Sequence, residues 1–336
     1  MPETTQQIVL KLEGISKTYH TGRLGSGTSL KAVQDVNLEI RRGEIFGIVG
    51  ESGCGKSTVA KMVAQLLPQT SGTIYLEQEP VELRDRKKLL EYRKKVQMVF
   101  QDPYSSLNPK KTIRQSVLMP LRSLYGMSGR EADARFERMM ELVGLPKRLH
   151  ETYPHEMSGG QLQRAAIARA LIVDPLVLIA DEPIAALDVS IQSQVLNLMS
   201  DLQREIGLTI LFISHDLRVV EQFTDRTAIM YLGNVVEVGE TKQLFRYPDH
   251  PYTRALIRSI PRLDSDGEGH FEVLEGEVPS LYNIPQGCPF HTRCAFRTDR
   301  CLSVKPLLQP VGGEERHVAC HHPLHHEAQT SGADAG

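Results

Sequence analysis

No uninterrupted apolar run in this sequence approaches the roughly 18–20 residues needed to cross a bilayer. The first residues, Met1-Pro2-Glu3-Thr4-Thr5-Gln6-Gln7, lack a basic region followed by an apolar core, so they do not read as a signal peptide. The formal net charge of -2 supplies no electrostatic argument for DNA or RNA as a partner. Cysteine is scarce, with five in 336 residues. No internal repeat is visible. What remains is an ordinary folded composition, 40% hydrophobic and 24% charged, of a length that suits one large or two modest domains. The chain is expected at the cytoplasmic side. In that reducing compartment the four cysteines between Cys288 and Cys320 favour metal or an iron–sulfur centre over disulfides.

The most informative stretch is Gly50-Glu51-Ser52-Gly53-Cys54-Gly55-Lys56-Ser57, followed by Thr58, which has the form GxxxxGK[ST]. The apolar run 45–49 before it suits a buried parallel strand, and 58–67 after it has helical spacing. Glycines there let backbone N–H groups curl round phosphate oxygens, and the helix turns its positive end toward them. Lys56 is placed to reach the β- and γ-phosphates, and Ser57 to hold Mg²⁺. Cys54 reads as a passive member of the loop, since nothing nearby implies thiol chemistry.

Along the chain, residues 8–20 alternate partly between apolar and polar, and 32–40 do so cleanly, as antiparallel strands would. A Gly/Ser/Thr-rich loop, 21–29, lies between them. Further strands are expected at 72–76, 96–100, 176–180 and 208–213, with a hairpin over 227–239. The charged segment 85–95 leads into the strand at 96. From 112 to about 149 the pattern is helical, with Phe136, Met139, Met140 and Val143 on one face. Helices are also expected over 161–171 and 191–206. Strands alternating with helices imply a mainly parallel sheet covered on both faces, with an antiparallel sheet on the N-terminal side. After residue 251 the character changes: a polar linker at 261–269, a loop-rich cysteine-bearing region, and a small polar end.

Two further stretches extend the loop into a catalytic constellation. Asp181 and Glu182 stand at the carboxyl end of an expected buried strand. Asp181 is placed to hold Mg²⁺, directly or through water, and Glu182 to orient a water for attack on the γ-phosphorus. Met157-Ser158-Gly159-Gly160-Gln161 opens a helix with a hydroxyl and free backbone N–H groups that can meet an anion. Together these resemble the motif series of ATP-binding cassette (ABC) ATPases over residues 8–260 or so. The signature begins with Met157 where Leu is commoner, a near-isosteric change that leaves the site intact.

The resemblance implies a P-loop NTPase (RecA-like) cassette, 1–260, with an antiparallel β-subdomain and a helical subdomain at about 102–165. It implies two cassettes packed head to tail, each phosphate loop facing the other's Ser158, Gly159, Gly160 and Gln161. On this chain Tyr19 resembles the aromatic that stacks on adenine, and Gln101 the glutamine that touches Mg²⁺ or the water. Gln101 would also root the segment that meets a membrane subunit. Asp188 resembles the residue linking the two sites, and His215 the switch histidine that hydrogen-bonds the γ-phosphate. With Glu182 and His215 both present, this half is expected to be catalytically competent.

Within that family, residues 100–109, the run Asp188-Val189-Ser190-Ile191-Gln192 and His250-Pro251-Tyr252-Thr253 resemble the ATPase subunits of dipeptide and oligopeptide importers. The form with Tyr104 is closer to the F-type than to the D-type subunit. The resemblance implies a heterodimer with a second ATPase, two permeases and a peptide-binding protein, and no nucleic acid. It also implies a small cysteine-rich C-terminal domain, 261–325, before a disordered tail, 326–336. Cys288, Cys294, Cys301 and Cys320 are separated by five, six and eighteen residues and lack the Cys-x₂-Cys knuckles of many zinc sites. Four thiolates suit a [4Fe–4S] cluster or a tetrahedral zinc, and the resemblance favours the cluster, as a staple rather than an electron carrier. His317, His321, His322, His325 and His326 invite a metal-sensing reading, but no acidic or regularly spaced partners accompany them. An ATPase of a nickel or other small-solute importer is the second reading. A soluble ABC ATPase of DNA repair or translation is the third, although this chain has neither a second cassette nor a long coiled coil.

Overall fold

The computed structural model describes residues 7–21, 28–82, 85–260, 262–263, 269–270, 274, 276–313 and 315–324. Of the loop expected at 21–29, residues 22–27 lie outside the described residues and Thr21, Thr28 and Ser29 belong to strands; most of the linker 261–269, His325, His326 and the tail 326–336 also lie outside the described residues.

Two long strands, β1 (Ile8–Thr21) and β2 (Thr28–Arg41), pair antiparallel and lead into β3 (Ile45–Val49). The phosphate loop joins β3 to α1 (Lys56–Val63), after which β4 (Ser71–Leu76) and the two-residue β5 (Glu79–Pro80) return to the first sheet. That sheet has the order β2-β1-β4-β5 and is antiparallel throughout. The charged segment then forms α2 (Arg86–Lys95) and feeds β6 (Val96–Val99). Its helix is started by the Asp85 side chain, which accepts from the N–H groups of Lys87 and Lys88. Tyr92, its buried anchor, donates to the Val63 carbonyl at 2.6 Å.

The helical part follows as α3 (Pro103–Ser106), α4 (Ile113–Tyr125), α5 (Arg130–Leu142) and α6 (Gly159–Leu171). α4 opens with a reciprocal capping box between Thr112 and Gln115 and ends at Gly126 in the left-handed conformation. Phe136, Met140 and Val143 are fully buried, as the helical periodicity predicts. The α/β part resumes with β7 (Val177–Asp181), α7 (Val189–Ile206), β8 (Thr209–Ser214) and α8 (Leu217–Phe223). A hairpin of β9 (Arg226–Tyr231) and β10 (Asn234–Glu240) precedes α9 (Thr241–Arg246) and α10 (Pro251–Arg258).

The C-terminal segment contributes a small pair, β11 (Arg262–Leu263) with β12 (Gly269–His270), then α11 (Asp299–Ser303), β13 (Gln309–Pro310) and β14 (His317–Val318). The main sheet runs β13-β14-β10-β9-β3-β8-β7-β6 among the described residues. Its β6, β7, β8, β3 and β9 are mutually parallel, whereas β10, β14 and β13 are added antiparallel. The strands β3, β7 and β8 are buried along their whole length, which is why they read as continuous apolar runs.

The two faces of this sheet define two cores. Phe46, Ile48, Ile179, Leu211 and Ile213 pack with α1 and the antiparallel sheet. Ile45, Val49, Leu178, Ala180, Ile210 and Phe212 pack with the helical part and with Tyr252, Cys288, Phe290 and Cys301. The C-terminal segment is therefore joined to the ATPase part through the sheet and through a core. A buried ionic knot helps hold it there: Arg316 contacts the carboxylates of Glu237 at 2.7 Å and Asp249 at 2.9 Å. Glu237 also accepts from the backbone N–H groups of Asp249 and His250, so this fully buried carboxylate is well satisfied.

Candidate nucleotide site

In an open parallel sheet the loops leaving the carboxyl ends of the strands line a common crevice. The phosphate loop leaves β3, His215 follows β8, Asp181 ends β7 with Glu182 just after it, and Gln101 follows β6. Since β3, β8, β7 and β6 are neighbours, these residues meet. Tyr19, Ser52, Gly53, Gly55, Lys56, Ser57, Thr58, Gln101, Glu182 and His215 all line one open pocket.

The loop's glycines answer to space as well as conformation. Gly55 has φ 111°, and a Cβ there would lie 2.4 Å from the Ala32 carbonyl oxygen. Gly50 packs so closely that a Cβ would lie 2.2 Å from the Met230 carbonyl oxygen. Within the loop Lys56 donates to the carbonyls of Gly50 at 2.7 Å and Glu51 at 3.0 Å. The lysine is almost wholly buried, so its charge is held inside the loop rather than in bulk water. Cys54 lies buried beneath it with Sγ 3.9 Å from Nζ. Burial pushes that thiol's pKa up, opposed mainly by the Lys56 charge, which suits an unreactive packing residue.

Ser57 donates its hydroxyl to Asp181 at 2.9 Å. Burial raises the Asp181 pKa, with the Ser57 hydrogen bond opposing the shift. A hydroxyl and a carboxylate side by side form an oxygen pair suited to a hard divalent cation. Glu182 is next in sequence and has a positive φ of 48°, an uncommon conformation for a non-glycine residue. Its N–H donates to the Ile213 carbonyl at 2.9 Å, which fixes the turn. Its Oε2 accepts from Gln101 Nε2 at 3.0 Å and lies 3.2 Å from His215 Nδ1. One carboxylate oxygen therefore gathers the residues that leave β6 and β8.

Tyr19 reaches the same pocket from the end of β1, with the Lys17 ammonium 5.3 Å from its ring centroid. The residues Ser158, Gly159, Gly160 and Gln161 are elsewhere, at the start of α6. There Ser158 and Gln161 form a capping box, and a Cβ on Gly160 would lie 2.5 Å from Ile191 Cγ2 on α7. Asp188 caps α7 in extended conformation without a side-chain hydrogen bond to the helix. None of these five residues lines the pocket that contains Lys56.

Sequence reasoning missed contacts made to the loop from later in the chain. Glu51 N–H donates to the buried Tyr252 hydroxyl at 3.1 Å. The Glu51 carboxylate receives both terminal nitrogens of Arg293, at 2.9 and 3.1 Å. Leu281 lines the nucleotide pocket itself. Tyr252 comes from α10, and Leu281 and Arg293 from the C-terminal segment; the contacts of Tyr252 and Arg293 with Glu51 span 201 and 242 residues of sequence.

The four cysteines Cys288, Cys294, Cys301 and Cys320 line a separate pocket with His250, His291, His321 and His322. All four thiols are free. Burial pushes the Cys288 thiol up to about 11 and the Cys320 thiol up to about 12, and raises that of Cys294. Among the described residues, no three His, Cys, Asp or Glu side chains stand close enough together to hold a single metal ion. His321 Nε2 lies 2.9 Å from the Val304 carbonyl and His322 Nε2 2.9 Å from the Thr298 hydroxyl, so these two rings are engaged locally.

A phosphate loop, an acidic strand end and a histidine at the next strand end define a nucleotide triphosphatase of the P-loop class. Residues 33–185 match the ABC transporter family, and residues 236–301 match the oligopeptide/dipeptide transporter C-terminal region. A putative peptide import ATP-binding protein of Brucella abortus is 43% identical over 324 residues, covering 96% of each chain. A putative oligopeptide transport ATP-binding protein of Bacillus subtilis, YkfD, is 45% identical over 313 residues, covering 91% of this chain and 93% of its own. Among solved structures, the dimeric ATP-binding cassette MJ0796 bound to ADP and Pi superposes with TM-score 0.62 at 33% identity. It covers 69% of this chain and 99% of its own. CbiO1 of Clostridium perfringens, part of the ABC transporter complex CbiONQ, gives TM-score 0.63 at 31% identity over 72% of this chain and 92% of its own. The chain belongs to the ABC transporter family of ATP-binding proteins, and it is an ABC ATPase. No helix among the described residues is long and apolar enough to cross a membrane. The comparisons give no support to an iron–sulfur cluster.

Proposed function

We propose that this chain is the ATP-hydrolysing subunit that powers import of dipeptides or oligopeptides through a membrane ABC transporter. The observation that carries the catalytic half is the meeting of Gln101 and His215 on one oxygen of Glu182, in the pocket that contains Lys56. Glu182 polarises the attacking water. His215 follows the γ-phosphate, and Gln101 senses the metal or water and relays its state toward the helical part. Ser57 and Asp181 hold Mg²⁺, Lys56 and the loop N–H groups hold the phosphates, and Tyr19 stacks on adenine. Because Ser158, Gly159, Gly160, Gln161 and Asp188 lie outside this pocket, they serve the pocket of a second cassette, which supplies its own in return. That arrangement makes hydrolysis depend on closure of two ATPase chains, here read as a heterodimer at the cytoplasmic face of the membrane.

The peptide half of the reading rests on the match to the oligopeptide/dipeptide transporter C-terminal region and on the names of the relatives. Two permeases and a peptide-binding protein complete the assembly. Expression beside the neighbouring transporter genes tests it. ATP-dependent uptake of labelled peptides, with this chain co-purifying with two permeases, is the expected result. Uptake of nickel instead of peptide would favour the second reading, and absence of permeases from the purified complex would favour the third.

We further assign residues 261–325 as the C-terminal region and its four cysteines as ligands of a [4Fe–4S] cluster, with zinc as the alternative. The donor set is chemically suitable: four free thiols line one pocket without a carboxylate among them. The sequence spacings, which lack the Cys-x₂-Cys knuckles of many zinc sites, are the ground for preferring the cluster to zinc. Such a group would cross-link a region with little regular structure of its own.

A further inference from the structure

The C-terminal region touches the phosphate loop at two places that the ATPase reading does not use. Val278, Pro279 and Leu281 line a cavity with Glu51, Ser52, Gly53 and Cys54. Separately, Arg293 makes the two-pronged contact with the Glu51 carboxylate, at 2.9 and 3.1 Å. The arginine is held by its own surroundings. It ends a short turn, His291–Arg293, whose preceding residue Phe290 is buried against Tyr231 and Tyr252. Its side chain is only 4% exposed, and its guanidinium carbon lies 5.9 Å from the Tyr231 ring centroid.

Glu51 occupies an awkward position for a carboxylate. It is the second residue of a loop built to receive phosphate anions, and its own carbonyl is one of the two that Lys56 engages. An unpaired negative charge there would repel the phosphates through a partly buried, weakly screened path. We propose that Arg293 is a positioning residue of the ATP site. By pairing with Glu51 it neutralises that charge and fixes the start of the phosphate loop, so the C-terminal region becomes part of the nucleotide site. Arg293 does not line the nucleotide pocket; it acts through Glu51.

The contact is separable from docking of the region as a whole. β14 pairs with β10, Arg316 binds Glu237 and Asp249, and Phe290 packs in the core, all independently of Arg293. Loss of one ion pair therefore leaves the segment in place.

The experiment uses the full chain and MgATP. It rests on the assignment of this pocket to ATP, which binding by the unsubstituted chain checks first and separately. Replacing Arg293 with Gln should weaken ATP affinity by roughly fivefold to thirtyfold, the scale of leaving a partly buried charge unpaired. In the assembled transporter the KM for ATP should rise with kcat little changed. Adding Glu51→Gln to Arg293→Gln should restore much of the affinity, because the repelling carboxylate is gone, and Arg293→Lys should lie between the variant and the parent. A structural staple alone would lower the melting temperature without changing ATP affinity and would not be rescued by Glu51→Gln. Either that result or an Arg293→Gln affinity within twofold of the parent overturns the proposal. If Arg293→Gln does not fold, Arg293→Lys decides: an ATP affinity within twofold of the parent, or a loss that adding Glu51→Gln does not reverse, overturns the proposal.

Discussion

His215 and Glu182 face each other across the nucleotide pocket, with the histidine Nδ1 3.2 Å from the glutamate Oε2 that also accepts from Gln101. Their positions follow from the sheet. β8 and β7 are neighbours in register, with Ile213 beside Asp181, so the residues just beyond the two strand ends must meet.

The contact supplies the first prediction. Replacing Glu182 with Gln keeps the size and a hydrogen-bond acceptor for Gln101 but removes the base. ATP should still bind, and turnover in the assembled transporter should fall by roughly 10²–10⁴-fold, the usual contribution of a positioned general base. Steady-state phosphate release compared with nucleotide retention measures it. Hydrolysis within a few-fold of the parent would remove Glu182 from the mechanism.

A second prediction contrasts two glycines of one loop. Gly55 combines φ 111° with an Ala32 carbonyl oxygen 2.4 Å from where a Cβ would lie. Gly53 has φ 77° and nothing within 4 Å. Gly53→Ala should cost about 1–2 kcal/mol, the penalty of left-handed backbone alone. Gly55→Ala should cost more, because backbone cannot move aside as a flexible side chain would, and ATP binding should be lost with it. Thermal melts and nucleotide titrations of the two variants test the ranking.

Much of this was legible in the sequence because the signals were local. The phosphate loop needs glycine, lysine and serine at fixed spacing, and fully buried strands such as β3, β7 and β8 cannot hide their apolar runs. The charged segment 85–95 was not legible as α2, because Tyr92 is its one buried residue and gives no periodicity. Its trace was the cap at Asp85. The partners of Glu51 were illegible for a different reason. Tyr252 and Arg293 lie 201 and 242 residues away, and no pattern in one sequence reports a contact over that separation. The antiparallel return of β14 onto β10 was hidden likewise, since a two-residue strand carries no alternation.

The third prediction concerns acid. His250 is fully buried, and its Nδ1 accepts from the Tyr252 N–H at 3.0 Å. Burial pushes its pKa down to about 3 from 6.5, opposed by a backbone hydrogen bond to Ala319. The unfolded chain therefore takes up this proton first. Stability attributable to His250 is intact above pH 6.5 and lost as pH falls toward 3, at up to about 1.4 kcal/mol per unit. Asn at this position keeps the helix cap but cannot titrate. His250→Asn should be modestly less stable at pH 7.5, yet should lose about 1.6 kcal/mol less than the parent between pH 6.5 and 5. Denaturant melts across that range decide; parallel slopes would mean that His250 charges in the folded state.

The fourth prediction takes up the cysteines through the same linkage. Burial holds the Cys288 and Cys320 thiols at about 11 and about 12, so both are protonated in the chain at neutral pH. A metal or cluster binds thiolates, and its uptake must expel those protons, so loading should strengthen as pH rises from 6.5 to 8.5. Chain stripped of metal under anaerobic conditions should alkylate slowly at neutral pH, because thiols are poor nucleophiles. Reconstitution with ferrous iron and sulfide should protect Cys288, Cys294, Cys301 and Cys320 together and give a brown protein. Buried Cys54 should resist alkylation with or without metal, which makes it the internal control. Stoichiometric zinc without iron would replace the cluster by the alternative. Unchanged alkylation after both treatments would leave the four as packing residues, whose free thiols simply fill the pocket beside Phe290.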